Sequence, residues 1–225
     1  MPGFTGFSAE DFELTQALDK GKLPVPLREK IDALRQELNE FPEFELPTFR
    51  NRIVRRPGMR GEDGLVFGHA RADHQHWYLY VVGGDQDQVQ LNIGMFPKHL
   101  RAGLGFQIGR QVNPKTPAFH LLQTFLGIRP PLPFRDALLS AIERNHFSLE
   151  VNGKPVIESP NALLERIETF LVPADEEPTF ILIGAIWPEE VAISKHAADF
   201  RNIFRELLPF YEALVLMGGR FTYCD

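Results

Sequence analysis

The sequence is poor in the features that most readily announce an activity. It holds one cysteine, Cys224, in 225 residues. A single thiol can neither staple the fold with a disulfide nor build a thiolate metal site. No apolar run approaches the roughly 20 residues that a bilayer-spanning helix needs. The opening "MPGFTGFSAEDFELTQ" has no basic start and no hydrophobic stretch of the kind that directs export. These absences point to the cytoplasm or nucleus, to no membrane partner, and to a hydrophobic core as the sole source of stability. Catalytic signatures are missing too. There is no GxSxG elbow and no Walker loop, and "GLGFQIG" at 103–109 is misspaced for a dinucleotide fingerprint. No catalytic residue and no cofactor follow from motifs, and the reading leans away from an enzyme.

What is present is ordinary globular material: 44% hydrophobic and 24% charged residues. The length fits a single domain over 1–225, with the proline-stiffened "IRPPLPF" marking a subdomain boundary near 128–133. The net charge of −6 is unevenly spread. Residues 1–47 carry ten acidic against five basic side chains, 48–115 five against ten, and 116–225 fifteen against nine. A basic middle between acidic ends can mark a surface for an acidic partner.

Periodicity predicts an α+β fold. In "PLREKIDALRQELNEF", Leu27, Ile31, Leu34, Leu38 and Phe41 recur at spacings of four and three, the stripe of an amphipathic helix. From about 53 to 110 the period becomes two. Strands are expected at 65–70, 75–82, 88–96 and 102–108, joined by short links that imply antiparallel neighbours. This gives a central antiparallel sheet of four to five strands. The second half reads as mostly helical, with a small hairpin around Asn152-Gly153 and one buried strand in "TFILIGAIW". The last helix carries Pro209, where a kink or interruption is expected.

Alternation also sorts the hairpin "HQHWYLYVVGGDQDQVQLNIGMF" into two faces. Trp77, Leu79, Val81, Val89, Leu91, Ile93 and Met95 form a dry side. His76, Tyr78, Tyr80, Gln90 and Asn92 form a polar one. Placing Val82 opposite Gln88 pairs Tyr80 with Gln90, Tyr78 with Asn92 and His76 with Gly94. A slip by one residue would mix the faces, at roughly 1.5–3 kcal/mol for each large apolar side chain exposed. On the next strand, Gly103, Gly105 and Gly109 share the polar face with Gln107; such glycines mark a bend or a close approach by a ligand or another backbone.

Tyrosine rings can stack bases, and amides can read their edges. Arg50, Arg52, Arg55 and Arg56 precede the hairpin and suit forked contacts to phosphate. The expectation is therefore a binding or accessory protein that engages a polar ligand, nucleic acid first, through Arg50, Arg52, Arg55, Arg56, His76, Tyr78, Tyr80, Gln90 and Asn92. Two alternatives stay open. His69, Asp73, His74 and His76 lie within eight residues and have side chains suited to zinc, iron or manganese. The chain could instead serve a protein partner or form a homodimer through its C-terminal helix. Glu150 and Lys154, separated by a turn, read as a structural pair.

Overall fold

The computed structural model describes residues 3–18, 22–40, 66–82, 89–108, 135–156 and 179–217. The first helix, α1 (Ala9–Gln16), opens on Ser8. The Asp11 carboxylate, itself buried, accepts hydrogen bonds from the Ser8 amide (2.7 Å) and hydroxyl (2.9 Å). That satisfies a donor the helix start would otherwise strand. Asp11 also pairs with Lys30 of α2 (Val25–Asn39), tying the two helices together. The α2 stripe is as the spacing predicts, with Leu27, Ile31, Leu34 and Leu38 fully buried; Phe41 lies outside the described residues. Pro26 sits in the first turn of α2, where its missing amide hydrogen costs nothing.

Eight strands follow in chain order: β1 (Val66–Phe67), β2 (Arg71–Asp73), β3 (His76–Val82), β4 (Val89–Phe96), β5 (His99–Ile108), β6 (Ser148–Val151), β7 (Lys154–Val156) and β8 (Thr179–Pro188). Three further helices are α3 (Arg135–Arg144), the single turn α4 (Glu189–Ala192) and the long α5 (Ala197–Met217). Strands β1 and β2 both pair with β3, as two pieces of one interrupted edge. The sheet is therefore seven positions wide, in the order β1/β2-β3-β4-β5-β8-β6-β7, and antiparallel at every pairing.

This corrects the expected four to five strands, because strands of the second half join the same sheet. The Asn152-Gly153 hairpin and the "TFILIGAIW" strand are both present, but they do not stand apart from the central sheet. β8 pairs with β5 along its whole length, from His99↔Pro188 to Ile108↔Thr179, and β6 adds on its far side. Local pattern reveals that a strand exists; which strand it pairs with across more than 70 residues is a tertiary choice. At the β6–β7 turn Asn152 (φ 47°) and Gly153 (φ 77°) are both left-handed, the twist that a two-residue hairpin needs. The boundary expected near 128–133 lies outside the described residues, as do residues 109–134 and 157–178 of the half expected to be mostly helical.

The two faces of the hairpin are as alternation predicts, but the pairing differs. Tyr80 is opposite Asn92, Tyr78 opposite Gly94 and Trp77 opposite Met95. The register is two residues away from the expected one. A two-residue slip keeps every side chain on its own face, so hydrophobic patterning cannot exclude it.

The dry face meets α1, α2 and α5. Trp77, Leu79, Leu91, Ile93, Met95, Leu104 and Ile183 are all fully buried there. The segment before α1 joins this core: Phe7 packs on Trp77 (ring centroids 5.5 Å apart) and Phe4 on Phe200 of α5 (6.3 Å). Pro209 does not interrupt α5, which continues to Met217. The proline is on the exposed side of the helix, where water can serve the carbonyl that its ring leaves without a donor.

Candidate functional site

The other face is built from the alternate residues of the same strands. Its most ordered feature is a run of near-parallel rings across β3, β4 and β5. Tyr80 and Tyr78 have centroids 6.2 Å apart, Tyr78 and His76 5.6 Å, His76 and Phe96 4.8 Å, and Phe96 and His99 4.7 Å. The spacing follows from the sheet: three rings come from one strand at two-residue steps, and the Phe96↔His99 pair closes the next hairpin. Arg71 lies over the Tyr80 ring at 5.2 Å and caps that end.

At the other end the face is closed around a buried charge cluster. Arg101 is wedged between the Phe96 ring (4.9 Å) and the Phe180 ring (5.0 Å). Its guanidinium pairs with Glu150, which is wholly buried, and His99 Nε2 lies 2.9 Å from the other Glu150 oxygen. Burial pushes the Arg101 guanidinium down to about 9. Burial, then the Arg101 charge, pushes His99 down to about 4. At neutral pH His99 is thus an uncharged ring donating its Nε2 hydrogen to a carboxylate that Arg101 has already neutralised.

The glycines of this face belong to the same closure. A Cβ on Gly94 would come within 2.9 Å of Arg101 Nε, and one on Gly105 would strike the Phe180 ring. The space they leave is filled by the protein's own side chains. At Gly103, opposite Gly184, a Cβ would run into the Ile183 carbonyl oxygen. The close approach that alternating glycines signal is internal here.

The predicted contact residues divide accordingly. His76, Tyr78 and Gln90 are half-buried, whereas Tyr80 (7% exposed) and Asn92 (1%) are buried. Tyr80 and Asn92 therefore support the face from beneath. Asn92 Nδ2 donates to Gln90 Oε1 at 3.0 Å, and no partner is recorded for its Oδ1 among the described residues. Arg50, Arg52, Arg55 and Arg56 lie outside the described residues. Burial, the largest influence, lowers the His76 pKa.

The histidine run does not assemble into a metal centre. Asp73 is opposite His76, and His74 is exposed in the turn between them. His69 is exposed in the break between β1 and β2, where its Nδ1 lies 3.9 Å from Asp32 of α2. Among the described residues no group of three or more His, Cys, Asp or Glu side chains could hold a metal ion. Nor is any described helix long and apolar enough to cross a membrane.

The open part of the face is at the β2–β3 edge. There a cleft of about 550 Å³ lies between the start of α2 and β2, lined by Arg28, Asp32, His69, Arg71, Asp73 and Tyr78 over an apolar floor that includes Leu23 and Ala70. Tyr78 belongs to both the cleft and the ring run. It is also the ring with the wider gaps on both sides. The pocket thus has one aromatic wall, two cations, and acceptor groups on an apolar base, the mixture found in sites for polar small molecules and cofactors.

Sequence reasoning missed Phe96, His99, Arg101 and Phe180, and it paired Glu150 with Lys154, whereas the structure pairs it with Arg101 and His99. Extending the alternation of β5 back through the Pro97-Lys98 turn would have put His99 and Arg101 on the polar face. Only the β8 pairing brings Glu150 to them. No family model matches the chain, and no curated protein is similar to it in sequence.

Proposed function

We propose that the protein is a binding or accessory protein for nucleic acid, and that single strands enter at the β2–β3 edge. The observation that carries the reading is Tyr78. It is half-exposed, loosely stacked on its neighbours, and forms the wall of a cleft that also holds Arg28 and Arg71. A phenol ring offers a stacking surface for any base, and guanidinium forks suit phosphate. His76 and Gln90 extend the accessible face beside it. In this reading Arg50, Arg52, Arg55 and Arg56 add phosphate contacts from the chain that leads into β1. Tyr80 and Asn92 hold the face in shape.

Fluorescence anisotropy with labelled single- and double-stranded DNA and RNA at low salt tests the proposal. Single strands are expected to bind, and affinity should fall as salt rises because bound counterions are released. Tyr78→Ala should weaken binding on the order of ten-fold, the loss of one stacked base. No binding at tens of micromolar protein, on the order of the weakest non-specific affinities, would remove the reading.

A further inference from the structure

Granting that reading, we infer that the cleft beside Tyr78 selects which base it accepts, favouring one that presents amino hydrogens, guanine above all, and rejecting uracil. The selecting group is Asp32. Its carboxylate lies on the cleft wall supplied by α2 and is about two-fifths exposed. Arg35 Nε donates to its Oδ1 at 3.1 Å, and His69 approaches the same oxygen. No hydrogen bond to Oδ2 is recorded among the described residues. A carboxylate is an acceptor only. It therefore rewards donors and repels carbonyl oxygens.

The four common bases differ in this respect. Guanine carries two adjacent donors, its ring N1–H and its exocyclic amino group. Cytosine and adenine each offer an amino group. Uracil has one N–H between two carbonyl oxygens, which a carboxylate disfavours. The cleft's other carboxylate, Asp73, is half-buried and accepts from the His74 amide at 2.8 Å, and the remaining groups orient the ligand without choosing among bases. Tyr78 supplies a stacking surface. Arg71 is exposed at the cleft, and Arg28, also exposed, is steered by donating one guanidinium nitrogen to the Leu23 carbonyl at 3.2 Å. These two cations suit the phosphate of the same nucleotide. A volume of about 550 Å³ is in the range of small-molecule sites.

The test titrates the intact chain with the four ribonucleoside 5′-monophosphates by calorimetry, beside an oligonucleotide that contains all four bases. The guanosine nucleotide should bind at least about ten-fold more tightly than the uridine nucleotide, as one good two-pronged base contact allows. Asp32→Asn should weaken the guanosine nucleotide and erase most of that ratio. Its uridine affinity should hold or improve, which also reports that the variant is folded. Equal affinity for all four nucleotides overturns the inference, as does a ratio unchanged in Asp32→Asn. So does binding of the oligonucleotide with no binding of any mononucleotide. In all three cases nucleic-acid binding itself stands. Failure of the oligonucleotide as well removes both.

Discussion

The two ends of one sheet face solve opposite problems. Around β5, β6 and β8, Arg101, His99 and Glu150 are buried together, and the glycine gaps of the face are filled by an arginine and a phenylalanine. At the β2–β3 edge, Arg71 and Arg28 are exposed, Tyr78 is half-exposed, and a cleft stays open. The same residue types appear at both ends: arginine, an aromatic ring, a carboxylate and a histidine. Burial decides what they can do. A buried guanidinium is committed to its carboxylate, because breaking that pair would strand a charge away from water. An exposed one is available to a ligand.

The largest expected effect tests that contrast directly. Glu150→Ala leaves Arg101 buried without its counter-charge and should lower unfolding free energy by about 3–5 kcal/mol. Arg71→Ala, at the open end, loses only the exposed contact with the Tyr80 ring and should stay within about 1 kcal/mol. Urea denaturation of both variants reads the difference, and similar losses would break the division of the face. A smaller effect separates two glycines within the closed end. Gly103→Ala meets backbone on β8, which cannot step aside, and should cost roughly 1–3 kcal/mol. Gly94→Ala makes the milder clash, 2.9 Å from Arg101 Nε against 2.3 Å from the Ile183 carbonyl oxygen at Gly103, and should cost less by the same measurement.

The last effect is in pH. The folded His99 pKa of about 4 lies below its ordinary 6.5. The unfolded chain therefore binds a proton that the folded one refuses. The contribution of a neutral His99 is intact above pH 6.5, is lost progressively as pH falls, and is gone near pH 4. The denaturation midpoint should decline across that window in the natural chain, and less steeply in His99→Gln. An equal slope in both would assign the loss to other groups.

How much of this was legible beforehand follows from what alternation encodes. Parity is local, so Trp77, Leu79, Leu91 and Ile93 are placed on the dry side from sequence alone, and Tyr78 and His76 on the other. Alternation fixes the register only modulo two, and the hairpin pairs two residues away from the expected position. Burial of the polar face is also invisible to parity: Tyr80 and Asn92 have the same alternation as Tyr78, yet only Tyr78 opens on the cleft. The partnership of Glu150 with Arg101 required β8 to lie between β5 and β6, a choice that no window of neighbouring residues records. Asp32 falls between the apolar stripe positions of its helix and carries no further signal in the sequence. Its place on the cleft depends on where β2 runs past α2.

The packing of Phe4 and Phe7 bears on how the chain is made. These rings pack against Trp77 and Phe200, and Phe200 leaves the ribosome nearly two hundred residues after Phe4. Contacts this far apart in sequence are slow to form and leave apolar surface bare in the meantime. The dry side of the sheet can be sealed only after α5 has emerged, so the core stays unfinished across the whole stretch between Phe4 and Phe200.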